Sequence, residues 1–269
     1  MINLKNDQEI SIMGKGGLIL TEVLNLLIKE AKSGVKLIEL DKIAEDEIIK
    51  RGGKSSFKTV KDYRWTICTA VNDVVVHGIP NNYVLKNGDI LGIDCGVLYN
   101  GFHTDCAWSV IVGDEKTLPS EIIAEGKSHE EKFLNSGRNA LQKAIKKVIK
   151  GNYIYDISKT IQENIERDGF SVVRTLVGHG VGKQLHESPE VPGFVKMTRD
   201  KTPKIIPGMV LAVEVIYNLG GPDVVYKGND GWTIATKDGT ISGLFEATVA
   251  VMSHGSYVLT PIGSGETKI

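Results

Sequence analysis

The alternation of apolar and polar positions divides the chain into helices and strands. Apolar residues recur at helical spacing over residues 7–31, 37–50, 119–150 and 156–168. Apolar and β-branched runs predict strands over 67–76, 90–111, 210–217, 232–236 and 241–252, with another strand ending near Val177. Residues 54–65 read as a loop over an apolar surface, and proline-rich irregular structure is expected up to Pro207. The pattern predicts an α+β protein.

One predicted hairpin carries two acids. Asn100-Gly101 lies between two apolar runs, which indicates a two-residue turn with positive φ at both positions. Asp94 then lies opposite Ala107, and Asp105 is its diagonal neighbour on the same face. Such neighbours are roughly 7 Å apart, where two buried anions need a cation between them. The alternative is that one aspartate is exposed at a sheet edge.

A short internal repeat predicts two related halves. Residues 88–94 and 208–214 align without gaps, each with a turn glycine, an apolar strand and an acid six positions after the glycine. The repeat suggests a pseudo-twofold fold with a site between halves of roughly 1–115 and 116–269. Chance similarity of two short strands is the alternative.

Four carboxylates and one histidine are candidate metal ligands. Asp94, Asp105, Glu214 and Glu246 lie in apolar strands that contain no lysine or arginine, and a buried, unpaired carboxylate is costly. His179 lies between two glycines, directly after a predicted strand, so its ring can reach a site there. For His179 alone, core packing is the alternative. Together, these donors suit two divalent ions, which can share a hydroxide as nucleophile.

The remaining histidines differ in their sequence context. His77 and His186 lie beside glycine and proline residues, and they are either structural or able to hold substrate and stabilise a developing oxyanion. His103, His129 and His254 have no such context and are interpreted as surface or packing residues.

Composition excludes several classes of function. The 269 residues carry a formal net charge of -1, which gives no electrostatic case for binding nucleic acid or an acidic membrane. No apolar run approaches the roughly 18 residues of a membrane span, and the N-terminus lacks the apolar core of a signal peptide. We therefore expect a cytoplasmic protein. Cys68, Cys95 and Cys106 show no CxxC spacing, so a disulfide or a sulfur-rich zinc site is not expected, and the last two are interpreted as packing residues.

These motifs together resemble the pita-bread metallopeptidases, in particular the type I methionine aminopeptidases. The segments that carry the resemblance are 71–80, 87–90, 101–105, 178–182, 186–187 and 231–233. It implies one catalytic domain over 1–269, with two βα halves around a curved antiparallel sheet and helices on the outer face. It also implies two divalent ions (Co, Mn, Fe or Zn). Their implied ligands are Asp94, Asp105, His179, Glu214 and Glu246, with Asp105 and Glu246 bridging.

The implied reaction is removal of the initiator methionine from nascent chains when the second residue is small. In that reaction Glu214 shuttles a proton, His186 steadies the tetrahedral oxygen and His77 assists at the scissile nitrogen. The resemblance implies that the protein is a monomer and that its partners are the N-termini of nascent chains. It leaves transient contact with the ribosome open.

A methionine side chain also needs an apolar pocket. The candidates for its wall are Tyr63, Cys68, Leu185 and Trp232. The chain departs from the family pattern in segment 57–65, which lacks a glycine- and proline-containing aromatic pattern. Further departures are Leu185 in place of phenylalanine, Val215 in place of proline and Ser188 in place of glutamate. These differences concern side-chain preference and rate, and they leave the five implied ligands intact.

Two other functions remain open from the sequence. An X-Pro aminopeptidase or dipeptidase shares the fold but usually has a separate N-terminal domain, whereas about 65 residues precede the first core strands here. A non-catalytic, peptide-binding relative would typically have lost metal ligands, and this chain keeps all five.

Overall fold

The computed structural model describes residues 2–113 and 128–262. The helices are α1 (Asp7–Glu30), α2 (Leu37–Lys50), α3 (His129–Ile145) and α4 (Ile154–Arg167). The first strands are β1 (Lys54–Ser55), β2 (Ile67–Val71), β3 (Val74–Val76), β4 (Ile90–Tyr99), β5 (Phe102–Ile111) and β6 (Ser171–Val172). The others are β7 (Val177–Gly180), β8 (Glu187–Pro192), β9 (Val210–Asn218), β10 (Val224–Tyr226), β11 (Ile234–Thr236), β12 (Ser242–Met252) and β13 (Gly255–Val258).

The predicted helices are found, with different bounds in the second half of the chain. Helix α1 begins at a capping box, in which the Asn6 side chain accepts from the Glu9 N–H and the Glu9 carboxylate accepts from the Asn6 N–H. The predicted helix over 119–150 ends earlier, at Ile145, and its first part, 119–127, lies outside the described residues.

Helix α1 has the length and apolar composition of a membrane span, contrary to the expectation that no segment approaches that length. Half of the apolar window is buried inside the protein, and the buried residues include Met13, Leu20 and Leu24. The apolar character of α1 is therefore explained by its packing as a core helix on β4 and β5.

Within residues 2–113 and 128–262, all strand pairs are antiparallel and form three sheets. Strands β1, β4 and β2 are neighbours in the first sheet, where β5 also pairs with β4. The largest sheet has the order β13-β12-β9-β7-β8, with β6 paired to β9, and β10-β11-β3 form the third. All four helices contribute to one apolar core with β4, β5, β9 and β12. The predicted α+β class with antiparallel sheets is confirmed.

The β4–β5 hairpin has the predicted register. Asn100 and Gly101 have φ values of 47° and 84°, as a two-residue turn that follows the strand twist requires. Asp94 lies opposite Ala107, and Asp105 lies opposite Gly96. The two aspartates are therefore diagonal neighbours on one face of the hairpin.

The two large sheets meet along a seam between β5 and β12. The Thr248 hydroxyl accepts from the Asp105 N–H (2.9 Å) and donates to the Asp105 carbonyl (2.8 Å). Further along β5, the Ser109 hydroxyl likewise donates to the Leu244 carbonyl and accepts from the Leu244 N–H. Two side-chain hydroxyls thus join the strands where a backbone ladder would otherwise run.

The sequence repeat recurs as a structural repeat. Gly88 and Gly208 both have a φ of 89°, which favours glycine. Gly88 donates its N–H to the carbonyl of Val112, and Gly208 donates its N–H to that of Val251. Each glycine therefore opens a strand, β4 or β9, in the same way.

Several short strands were not predicted. Strand β8 lies within the segment expected to be irregular, and it contains Pro189 and Pro192. It is an edge strand of the large sheet, where proline is tolerated because one side of the backbone makes no ladder. Strands β10 and β13 were also missed, and β11 begins at Ile234 rather than at residue 232.

Candidate metal centre

Four strands bring the predicted acids into one cavity. Asp94 lies on β4, Asp105 on β5, Glu214 on β9 and Glu246 on β12. The register pairs Glu246 directly with Glu214. All four line a cavity of about 150 Å³, together with His179.

The position of His179 corrects the sequence prediction. The residue was expected directly after a strand, but it lies within β7, which pairs with both β8 and β9. A Cβ at Gly178 would collide with the carbonyl oxygen of Ala212, and a Cβ at Gly180 with that of Ser188. The flanking glycines therefore allow the neighbouring strands to approach closely.

One ring nitrogen of His179 faces the acids. Its Nδ1 lies 2.9 Å from the Gly180 carbonyl oxygen, which can only accept, so Nδ1 carries the proton. The unprotonated Nε2 lies 3.6 Å from Glu214 Oε1 and 3.9 Å from Asp105 Oδ2. Ligand atoms of Asp105, His179 and Glu246 all lie within 4.8 Å of one another. A neutral imidazole with its proton on Nδ1 leaves Nε2 free, which is the tautomer that binds a metal through Nε2.

The carboxylates lack a counter-charge of their own. Burial raises the pKa of Asp105 to about 7, and burial together with the neighbouring acids raises the pKa of Asp94, Glu214 and Glu246 well above the usual range. In the described parts of the chain, His179 is the basic side chain that lies within 4 Å of these acids. Burial lowers the pKa of His179 to about 4, so its ring is neutral at pH 7 and supplies no positive charge. Asp94 Oδ1 and Glu246 Oε1 are buried without a hydrogen-bond partner. This donor set fits divalent cations, which would supply the missing charge.

The two other predicted site histidines also line the cavity. His77 follows β3 and has a φ of 57°, a strained conformation for a residue other than glycine and one that is often found at functional sites. The His186 ring lies 4.5 Å from the His179 ring, centroid to centroid. Burial lowers the pKa of His77 to about 4 and also lowers that of His186, so both rings are neutral at pH 7.

The four predicted wall residues surround the apolar end of the same cavity. The Tyr63 ring packs edge-on against Trp232 with centroids 5.1 Å apart, and the Tyr63 hydroxyl lies 2.8 Å from the Ile67 carbonyl, to which it donates. Cys68 is buried opposite Asp94, and Leu185 packs in the same cluster.

Sequence reasoning missed four further wall residues. They are Phe57, Val60, Val76 and Leu244. Phe57 and Val60 belong to the atypical 57–65 segment. The spacing of the apolar side chains in that segment was the sequence signal that could have identified them as wall residues.

The remaining histidines and cysteines lie away from the cavity. His103 is a buried packing residue whose Nδ1 lies 2.8 Å from the Ser56 hydroxyl. His254 is exposed and contacts the Tyr257 hydroxyl. Cys95 and Cys106 are free thiols in the apolar core, as expected.

Comparison with known proteins identifies the family. Residues 11–252 match the model of metallopeptidase family M24. The chain is 44% identical over 262 residues to a methionine aminopeptidase of Clostridium perfringens, covering 97% of this chain and 100% of that protein. It is 39% identical over 262 residues to methionine aminopeptidase 1 of Bacillus subtilis, again covering 97% of this chain and 100% of that protein.

Solved structures agree with the sequence matches. The crystal structure of a methionine aminopeptidase from Thermotoga maritima has a TM-score of 0.87 and 35% identity, covering 97% of this chain and 99% of that one. A prolidase from Pyrococcus horikoshii has a TM-score of 0.73 at 20% identity, covering 97% of this chain but 64% of the prolidase chain. The prolidase likeness shows the fold alone.

The match is nearly complete in both directions for the methionine aminopeptidases and partial for the prolidase. The protein is thus a metal-dependent hydrolase with the pita-bread fold, and divalent ions are its cofactors. The chain belongs to metallopeptidase family M24 and, within it, to the methionine aminopeptidases.

Proposed function

We propose that this chain removes the initiator methionine from nascent proteins whose second residue is small. The observation that carries the proposal is the meeting of five metal-ligating side chains and an apolar wall in one cavity of about 150 Å³. The similarity to methionine aminopeptidases over nearly the whole chain supports this activity over the X-Pro alternative. The limit to a small second residue rests on that resemblance.

The residues that would hold two divalent ions are those at the acidic end of the cavity. They are Asp94, Asp105, His179, Glu214 and Glu246. Bound ions of the Mn, Fe, Co or Zn kind activate water at neutral pH and polarise the scissile carbonyl. The unpartnered oxygens of Asp94 and Glu246 support the assignment, because a cation satisfies both.

Three side chains would carry the protein's part of the chemistry. The Glu214 carboxylate accepts a proton from water and passes it to the leaving amine. His186 donates a hydrogen bond to the oxygen that gains negative charge, and His77 does so at the scissile nitrogen. Their lowered pKa values support these roles, because a neutral imidazole can donate a hydrogen bond without bringing a charge into the cavity.

The apolar end of the cavity would bind the methionine side chain. Tyr63, Cys68, Leu185 and Trp232 present aromatic, sulfur and aliphatic surfaces there, and a thioether packs favourably on aromatic edges. The Tyr63 hydroxyl already donates to a backbone carbonyl, which leaves the ring to serve as an apolar wall.

We propose further that residues 1–269 form one catalytic domain of two related halves, acting as a cytoplasmic monomer on nascent N-termini with transient ribosome contact. The equivalent roles of Gly88 and Gly208 support the two halves, and the shared cavity supports a single domain. The setting and partners rest on the resemblance to the family.

A peptide assay tests the proposal directly. Purified protein with added Mn or Co is incubated with Met-Ala-Ser and, separately, with Ala-Pro-Ala, and free amino acids are measured. Release of methionine from the first peptide is expected, and chelation of the metal should stop it. Cleavage of Ala-Pro-Ala alone would support the X-Pro enzyme, and cleavage of neither peptide would support a binding protein.

A further inference from the structure

A buried ion pair lies directly beside His186. The Lys5 ammonium is 2.6 Å from Glu187 Oε2, and the two side chains are only 5% and 2% exposed. Lys5 Nζ also donates to the Asn3 carbonyl at 2.9 Å, and Glu187 Oε1 accepts from the Gln184 N–H at 3.1 Å. Both charges are thus paired and hydrogen-bonded, the condition under which a buried pair is tolerated.

The pair ties the N-terminal segment to the loop that carries His186. Glu187 follows His186 in sequence, and its other oxygen holds Gln184 on the N-terminal side of the same loop. The Lys5 backbone is itself fixed, because its N–H donates to the Gly208 carbonyl at 2.7 Å. Gly208 precedes strand β9, which carries Glu214. Through Lys5, the loop is therefore attached to the same strand that positions Glu214.

The ion pair packs closely against the backbone of the loop at Gly182. A Cβ at Gly182 would collide with the Lys5 side chain and with the Glu187 carboxylate. On the opposite side, the Gly182 carbonyl accepts from the His103 N–H at 2.7 Å. The loop from Gly182 to Glu187 is therefore held from two sides, and the His186 ring projects from it against His179.

We propose that Lys5 and Glu187 are positioning residues that hold His186 in its working orientation. The inference rests on the function proposed above, because it gives His186 a role in turnover. Neither residue lines the cavity, so both act through the loop. The exposed pair between Lys183 and Glu9 joins the same two segments at 3.7 Å, but Lys183 is 74% exposed, so that pair should contribute little.

The first test compares turnover in two backgrounds. K5M and E187Q should each lower kcat on Met-Ala-Ser about tenfold or more, with KM changed less than about threefold and metal content unchanged. In the H186A background the same substitutions should have little further effect, because residues that act through one group are not additive. An equal loss in both backgrounds would overturn the proposal. K183M should match the unchanged chain.

The second test does not depend on turnover. Amide hydrogen exchange of peptides that cover 182–187 is measured by mass spectrometry on the Mn-loaded full chain. K5M should speed exchange there about tenfold, whereas K183M should not. Unchanged exchange in K5M would overturn the anchoring role. If the unchanged chain leaves Met-Ala-Ser intact, the proposed function fails, and the exchange result still decides whether the pair holds the loop.

Discussion

The two pairs of acids in the cavity are built differently. Asp94 and Asp105 lie on adjacent strands of one hairpin and are diagonal neighbours across it. Glu214 and Glu246 lie directly opposite each other, on strands joined through the segment 219–241 with its own two strands. The first geometry is fixed by a two-residue turn, because the turn sets the strand register. The second depends on long-range pairing, so it forms only when β9 and β12 have paired across that segment.

The difference shows how one site combines local and non-local order. Neither pair has a counter-charge within its own strands, and each contains a buried oxygen without a hydrogen-bond partner, on Asp94 and on Glu246. Each pair is therefore repulsive alone, and cations bound at the proposed centre would relieve the repulsion.

The largest expected effect comes from removing one acid of either pair. D105A and E246A should both lower the metal stoichiometry and reduce turnover of Met-Ala-Ser on the order of 1,000-fold, because both carboxylates belong to the proposed ligand set. Metal analysis of the purified proteins and steady-state kinetics measure this. E190A, which removes an exposed acid on β8, is the control. Full activity of D105A or E246A would contradict the proposed ligand roles.

A smaller effect is expected outside both pairs. H186A should lower kcat about 100-fold, the usual range for loss of one acid–base or oxyanion-stabilising group, while metal content stays unchanged. Kinetics with parallel metal analysis measure it. Loss of metal in H186A would mean that the histidine belongs with the acids and not with the substrate.

Metal removal should make stability depend on pH in a defined direction. Asp105 has a folded pKa of about 7, raised from 3.8, so the folded metal-free protein binds more protons than the unfolded chain around pH 7. Its stability should fall as the pH rises from 6.5 to 8, because Asp105 and the other three buried acids, whose pKa values are also raised, hold protons there that the unfolded chain has already lost. His77 and His179 oppose this trend near pH 6.5, because their folded pKa values are about 4 while the imidazoles of the unfolded chain still bind protons there. The fall is therefore clearest above pH 7.

Thermal unfolding of metal-free protein at several pH values measures this effect. Saturating Mn should abolish the fall and raise the Tm by about 5–10 °C at a hundredfold excess over Kd. Metal-free protein that gains stability across this pH window would contradict the assignment of uncompensated acids.

The smallest expected effect compares the turn between β4 and β5 with the segment 219–241 that joins β9 to β12. Gly101 and Gly239 both have positive φ and open space for a Cβ, so G101A and G239A should each cost about 1–2 kcal/mol of unfolding free energy. Metal affinity should weaken only in G101A, because that turn alone sets the register of the first pair. Metal titration of both variants checks this, and equal affinities would show that the sheet sets the register without the turn.

The sequence was most informative where structure is local. Asn100-Gly101 predicted the β4–β5 register because a two-residue turn leaves few alternatives. The glycines that open the repeat predicted two equivalent strand starts, and Gly88 and Gly208 do share one conformation. The acids were predicted to lie together for a physical reason, since isolated carboxylates are unfavourable in apolar strands.

Packing between segments that are distant in the chain could not be predicted from one sequence. His179 was assigned to the end of a strand because its two glycines resemble a loop, whereas the close approach of Ala212 and Ser188 explains them. Strand β8 was missed because proline argues against a strand unless its edge position is known. The cavity wall joins side chains from distant segments, such as Phe57 and Trp232, and their meeting depends on the tertiary fold.

The seam between β5 and β12 has a consequence for biosynthesis. Strand β12 carries Glu246 and, through the Thr248 hydroxyl, also fixes the backbone of Asp105 in the early hairpin. During translation the amino-terminal half emerges first, so its two aspartates meet Glu246 only after this late strand has been made. At the proposed centre, metal binding would therefore follow synthesis of β12, and a truncated translation product that stops before β12 would lack one of the proposed ligands.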